Sequence, residues 1–142
     1  MPNKNANTAI AHRPIRLFVA SALPDIGDIF AKPLYFERDI EVIGAANSAQ
    51  ELFEKVKLHT PDIILIDVLL SDIDGFQAVK LLFELMPMQV IMFSVCFETE
   101  YIKEYVEDAL RLGVKGYLPF LWSTEDLTFM VYKVAQAPST YH

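Results

Sequence analysis

Five short aliphatic runs, each followed by a longer stretch with helical spacing, constrain the fold of this chain more than any other feature. The runs are Ile15 to Ala20, Glu41 to Ala45, Ile63 to Asp67, Gln89 to Ser94 and Gly116 to Leu118. They are mostly β-branched or aliphatic throughout instead of alternating with polar residues, the pattern of strands covered on both faces. Strand-length runs that alternate with helical segments predict βα units around a parallel sheet.

The helical segments carry their own boundaries. Ser48 to Glu51 reads as a capping box, Leu52 and Val56 supply one apolar stripe, and the helix ends before Pro61. Asp74 caps a third helix bearing Phe76, Val79 and Phe83, which stops near Met86 because a proline disfavours helical geometry in the residue before it. Tyr101, Ile102, Tyr105, Val106 and Ala109 mark a fourth helix ending at Gly113, a natural left-handed cap. Ser123 caps the last, where Leu127, Met130, Val131 and Val134 share a face. The first helix differs: Pro24 suits its opening turn, but Pro33 predicts a break where the helix should continue.

The remaining segments and the composition set the boundaries. Residues 1–14 read as a flexible N-terminal tail, 15–136 as one domain, and 137–142 as a C-terminal tail or the start of a linker. With 53% apolar and 22% charged residues, the 142-residue chain has ordinary globular usage and room for one core. A net charge of -7 with no Lys/Arg cluster argues against nucleic-acid binding, which relies on basic side chains displacing counterions. A single cysteine, Cys96, excludes an intramolecular disulfide, and no apolar signal segment follows Lys4, so a cytoplasmic location is expected. No apolar run approaches the ~20 residues that span a bilayer, and membrane association is not expected.

In an open parallel sheet, functional groups sit just beyond the carboxyl ends of the strands. Here those positions are Ser21 and Ala22, Asp67, Ser94, and the residues following Leu118. The stretch Pro61 to Asp67 followed by Asp74-Gly75-Phe76 resembles the acceptor strand and the turn into the third helix of response-regulator receiver domains, particularly those attached to helix-turn-helix regulators. Asp39 to Gly44 is similar to that family's second strand, and Gly113 to Leu118 to its fifth. The resemblance covers roughly Ile15 to Val134. It implies a flavodoxin-like (βα)5 three-layer sandwich with a five-stranded parallel sheet in the order 2-1-3-4-5. It also places Asp67 at the phosphoryl acceptor, Ser94 at the hydroxyl that bonds the phosphoryl group, and Tyr117 at the aromatic switch position.

Three positions depart from the family pattern. Ser21 and Ala22 stand where the family has two magnesium-holding acids, and Phe120 stands at its lysine; with a short deletion that position falls on Leu118. Asp25, Asp28 and Asp72 lie close enough in sequence to be weighed as substitute ligands, but each is better explained as a helix-start or loop acid. Phosphoryl transfer to a carboxylate relies on positioning and on cations that offset the donor's charge. The resemblance therefore implies an atypical, non-enzymatic receiver with weak or no phosphorylation. No resident cofactor is expected, and magnesium would bind weakly if at all, through Asp67. Its partners would be proteins, namely a histidine kinase and a fused or associated effector. The surface formed by the fourth helix, fifth strand and fifth helix, with Tyr101, Tyr105, Tyr117, Phe120, Trp122 and Phe129, would serve a homodimer or another protein contact. Two alternatives stay open: a conventional receiver phosphorylated on Asp67 with magnesium, and a flavodoxin-like cofactor binder. The second needs a loop of small residues cradling a phosphate, but Val19 to Pro24 has no glycine and one hydroxyl.

Overall fold

The computed structural model describes residues 13–95, 102–119 and 121–136. The expected tails at 1–14 and 137–142 therefore lie outside the described residues except for Arg13 and Pro14. In chain order the elements are β1 (Ile15–Ala20), α1 (Ile26–Ala31), β2 (Ile40–Ala46), α2 (Ala49–His59), β3 (Ile63–Asp67) and α3 (Gly75–Leu85). β4 (Gln89–Phe93), α4 (Ile102–Leu112), β5 (Gly116–Leu118) and α5 (Thr124–Gln136) complete the fold.

All five strands are parallel, in the order β2-β1-β3-β4-β5. Alternate side chains of each strand point to opposite faces, and they divide the core in two. Leu17, Val19, Ile63, Leu65, Ile91 and Phe93 pack beneath α1 and α5 with Ile26, Phe30, Leu127 and Val131. Phe18, Ala20, Ile64, Ile66, Val90 and Met92 pack beneath α2, α3 and α4 with Leu52, Val79, Leu82 and Ala109. Because both faces are covered, the middles of the strands are apolar throughout, and Arg16, Glu41 and Gln89 fall in the first two positions of theirs. The pairing of β1 with β2 shifts register between Leu17 and Phe18. There the Phe18 ring lies so close to Gly44 that a side-chain carbon at Gly44 would come within 2.8 Å of it.

The local signals act as their chemistry requires. The Ser48 hydroxyl accepts from the Glu51 amide at 3.0 Å, while the Glu51 carboxylate reaches back to the Asn47 amide at 2.9 Å. Asp74 accepts from the Gln77 amide at 2.9 Å, and Ser123 and Asp126 cap each other's amides at the start of α5. α1 has six residues and ends at Ala31, two positions before Pro33, and the chain then turns through residues 32–36. Gly113 takes a φ of 102°, a left-handed conformation that favours glycine.

Candidate functional site at the carboxyl end of the central strand

Asp67 ends β3, the middle strand, with β1 on one side and β4 on the other. Ala20 pairs with Ile66 and Asp67 with Phe93, so Ser21 and Ser94 extend from the neighbouring strands at the same level. Ser21, Asp67 and Ser94 are the three buried polar side chains of the described core, with exposures of 0%, 1% and 0%. The fold thus brings these three predicted positions together.

Their bonding determines what the site can do. The Ser21 hydroxyl donates to Asp67 Oδ2 at 2.6 Å and accepts from the Leu23 amide at 3.1 Å. Asp67 Oδ1 accepts from the Leu69 amide at 3.2 Å. Burial pushes the Asp67 carboxyl above its ordinary range; the Ser21 hydroxyl and the Leu69 and Val68 amides oppose that rise without cancelling it. The Ser94 amide donates to the Leu118 carbonyl at 3.1 Å, which ties the end of β4 to β5. Tyr117 is buried in the core on the α4 side of the sheet.

The loops around Asp67 are joined to one another by hydrogen bonds. Ala22 is exposed and offers only a methyl group, but its amide donates to Leu69 O at 2.9 Å. The Asn47 side-chain amide donates to the carbonyls of Ser21 and Leu23, both at 2.9 Å, and the Asn47 backbone carbonyl accepts from the Ser71 amide at 2.9 Å. Asp72 reaches from the β3–α3 loop to the start of α2, where its two carboxylate oxygens accept from the Ala49 and Gln50 amides at 2.8 and 3.1 Å. Asp72 is therefore engaged as a cap, and Asp25 and Asp28 lie exposed at the start of α1. At Gly75 the first turn of α3 lies against the Asp67 carbonyl, leaving no room for a side chain.

The aromatic candidates separate. Tyr105 is half-buried, its ring 5.6 Å from that of Phe76. Trp122 is half-buried and stacks on Phe30 at 4.8 Å, so much of its indole serves the α1/α5 layer. Phe129 stands exposed on α5, and Tyr101, Phe120 and Cys96 lie outside the described residues. Two features escaped sequence reasoning. Asn47 shows its role only when the β1–α1 and β3–α3 loops are in place, and its one linear signal is its position immediately before a helix cap. Tyr35 and Phe36, on the α1–β2 turn, are 79% and 87% exposed and pack edge to face at 5.0 Å.

A doubly wound parallel sheet in this strand order, with a carboxylate at the tip of its central strand, defines a flavodoxin-like signalling domain of the receiver type. The chain belongs to the response regulator receiver domain family, whose model matches residues 24–132. That stretch begins after Ser21 and Ala22. Among similar curated proteins, protein-glutamate methylesterase/protein-glutamine glutaminase 1 of Methanosarcina acetivorans is 41% identical over 75 residues, 53% of this chain and 21% of the relative. Response regulator protein VraR of Staphylococcus aureus is 30% identical over 106 residues, 74% of this chain and 49% of the relative. The chain thus spans less than half the length of either. The receiver domain of the response regulator NarL from Mycobacterium tuberculosis superposes with a TM-score of 0.75 at 23% identity, covering 89% of this chain and 99% of that one. The response regulator domain of Thermotoga maritima CheB superposes with the same score, identity and coverages. At such identities the likeness to the solved structures establishes the fold.

The family implies a magnesium ion beside Asp67, and the donors here do not fit one. Magnesium favours carboxylate oxygens and waters in near-octahedral array. At the two positions where the family has acids, Ser21 donates its proton to Asp67 and the side chain of Ala22 carries no oxygen, which leaves Asp67 as the one carboxylate of the set. Among the described residues no group of three His, Cys, Asp or Glu side chains is disposed to hold a metal. Nor, among them, is any helix long and apolar enough to cross a membrane.

Proposed function

We propose that this receiver domain works in two-component or phosphorelay signalling mainly as a protein-interaction module, with weak or no phosphorylation of Asp67. The observation that carries this reading is the 2.6 Å bond from the buried Ser21 hydroxyl to Asp67. A phosphoryl donor carries about two negative charges, and its transfer depends on cations that neutralise them. At this site a neutral hydroxyl, not a cation, bonds the carboxylate, and burial pushes that carboxyl above its ordinary range.

In this reading residues 15–136 form the functional unit. It is non-enzymatic, cytoplasmic, free of a resident cofactor and binds magnesium weakly at most. Its partners are proteins, namely a histidine kinase and a fused or associated effector, and its acidic charge disfavours nucleic acid. The α4–β5–α5 face, with Phe129 exposed, is the candidate surface for a homodimer.

Presence of the acceptor and of Ser94 favours the second reading, a conventional receiver phosphorylated on Asp67 with magnesium. Incorporation of label from acetyl phosphate with millimolar magnesium separates the two. We expect little or none; robust labelling that disappears in Asp67→Ala establishes the conventional receiver.

A further inference from the structure

Three loops meet around Asp67, and one residue of the β2–α2 turn ties the other two together. Asn47 takes no part in the hydrogen bonding of Asp67 itself. Its side-chain amide donates to the β1–α1 loop, to the carbonyls of Ser21 and Leu23 at 2.9 Å. Its backbone carbonyl accepts from the Ser71 amide of the β3–α3 loop, also at 2.9 Å. Asn47 is in turn anchored to α2: its backbone amide donates to Glu51 Oε1 at 2.9 Å, and the other oxygen of Glu51 pairs with Lys55 at 2.8 Å.

These bonds fix Ser21 from behind. Its amide donates to Ala46 O at 3.0 Å and its carbonyl accepts from Asn47, so two consecutive residues at the end of β2 hold both of its backbone polar groups. Rotation of the hydroxymethyl group is what remains, and the bonds to Asp67 Oδ2 and from the Leu23 amide commit it. The Ala22 amide closes the rim by donating to Leu69 O at 2.9 Å. Ala22, Leu23, Leu69 and Ser71 are exposed on that rim, while Ser21 and Asp67 are buried.

We propose that Asn47 is the positioning residue that keeps Asp67 closed: by holding the Ser21 and Leu23 carbonyls it seats the Ser21 hydroxyl on the acid and keeps the β1–α1 loop down at its mouth. Access to Asp67 is thus set from the first turn of α2, by a residue outside the acid's own bonding. The role needs a donor that reaches two carbonyl oxygens at once. A primary amide supplies one, whereas a carboxylate of the same shape only accepts. This deepens the reading of Asp67 as a poorly phosphorylated acceptor, on which it rests, by naming what bars the way to it.

The test uses the whole 142-residue chain. Asn47→Asp deletes both donors at nearly constant shape, and Asn47→Ala deletes them without adding charge. Two readouts follow the site: hydrogen exchange at the Leu23 amide, whose acceptor is the Ser21 hydroxyl, and capture of the Asp67 carboxyl by a water-soluble carbodiimide and glycinamide, read by peptide mass spectrometry. We expect both to rise roughly tenfold or more in either variant, the loss of two hydrogen bonds. Asp72→Ala loosens the same rim where it caps α2 but touches neither Ser21 nor Leu23, so both readouts should stay within about twofold. Slow exchange at Ile64 to Ile66 shows that each variant keeps its sheet. Unchanged capture of Asp67 in the folded Asn47 variants overturns the proposal, and so does an equal rise in Asp72→Ala, which would make Asn47 one rim contact among several. Acetyl phosphate labelling of the unmodified domain reports separately on the reading beneath: robust labelling with capture still governed by Asn47 removes weak phosphorylation and leaves the closure in place.

Discussion

The Ser21 hydroxyl and the Asp67 carboxylate face each other across 2.6 Å at the ends of adjacent strands, both closed off from solvent. Removing the donor in Ser21→Ala leaves a buried carboxylate oxygen one bond short, at a cost of about 1 to 3 kcal/mol. Ser21→Asp with Ala22→Asp instead sets like charges against Asp67 and lowers the melting temperature in the absence of metal. Millimolar magnesium should restore stability in that double variant by binding the folded state, and should not shift the unmodified domain. Thermal melts with and without the metal check both; a magnesium-dependent shift in the unmodified domain that vanishes in Asp67→Asn contradicts the second.

The Asp67 carboxyl titrates above its unfolded value because it is buried. Between the unfolded and folded values the native state holds the extra proton, so stability falls as pH rises through that window. The contribution is fully present below the unfolded value of about 3.9 and lost above the folded one. Asp67→Asn, which cannot ionise, should gain on the unmodified protein as pH rises from acid towards neutral, reaching a few degrees in melting temperature at most. A melting-temperature difference that stays flat with pH contradicts this.

Asp62 behaves in the opposite sense. Burial alone would raise its carboxyl, but the Arg13 guanidinium, bonded to both oxygens at 2.8 Å, and the Arg16 amide at 2.8 Å outweigh it and hold the group below its ordinary value. This contribution is present above the unfolded value and lost as pH falls through the folded one. Because Arg13 is about half exposed, Asp62→Asn should cost roughly 1 kcal/mol at neutral pH, and the cost should shrink in acid. Urea unfolding at several pH values measures it.

Asp72 caps α2 across a separation of 23 residues. Asp72→Ala should cost about 1 kcal/mol and speed amide exchange at Ala49 and Gln50, because those donors then have only water. Metal affinity should not change, whereas a substitute ligand would lower it.

Much of the scaffold was legible because its signals are local. The limits of β1, β3 and β5 follow from where aliphatic runs meet polar or turn residues, and Ser48, Asp74, Gly113 and Ser123 act within a few positions of themselves. β2 extends one residue beyond its reading at each end, to Ile40 and Ala46, and β4 stops at Phe93, one residue before Ser94. Of the site, the level shared by Ser21, Asp67 and Ser94 followed from strand ends alone. The Ser21 to Asp67 bond and the Asn47 bridge did not, because each joins residues more than 20 positions apart whose side chains meet only once the sheet has formed. Trp122 illustrates a different limit: composition marks an aromatic residue, but its stacking on Phe30 depends on how α1 and the start of α5 approach each other.

β3 is the one strand of the sheet to carry Asp67, and it is zipped to neighbours along both edges. Its amides can exchange with solvent only when the sheet opens as a whole, whereas those of Ala22 and Ser71 need only the rupture of single loop bonds. Deuterium should therefore enter this molecule in two waves, an early one at the loop rim and a late one at Ile64 to Ile66. The time between them measures how far the mouth over Asp67 can loosen while its floor stays rigid.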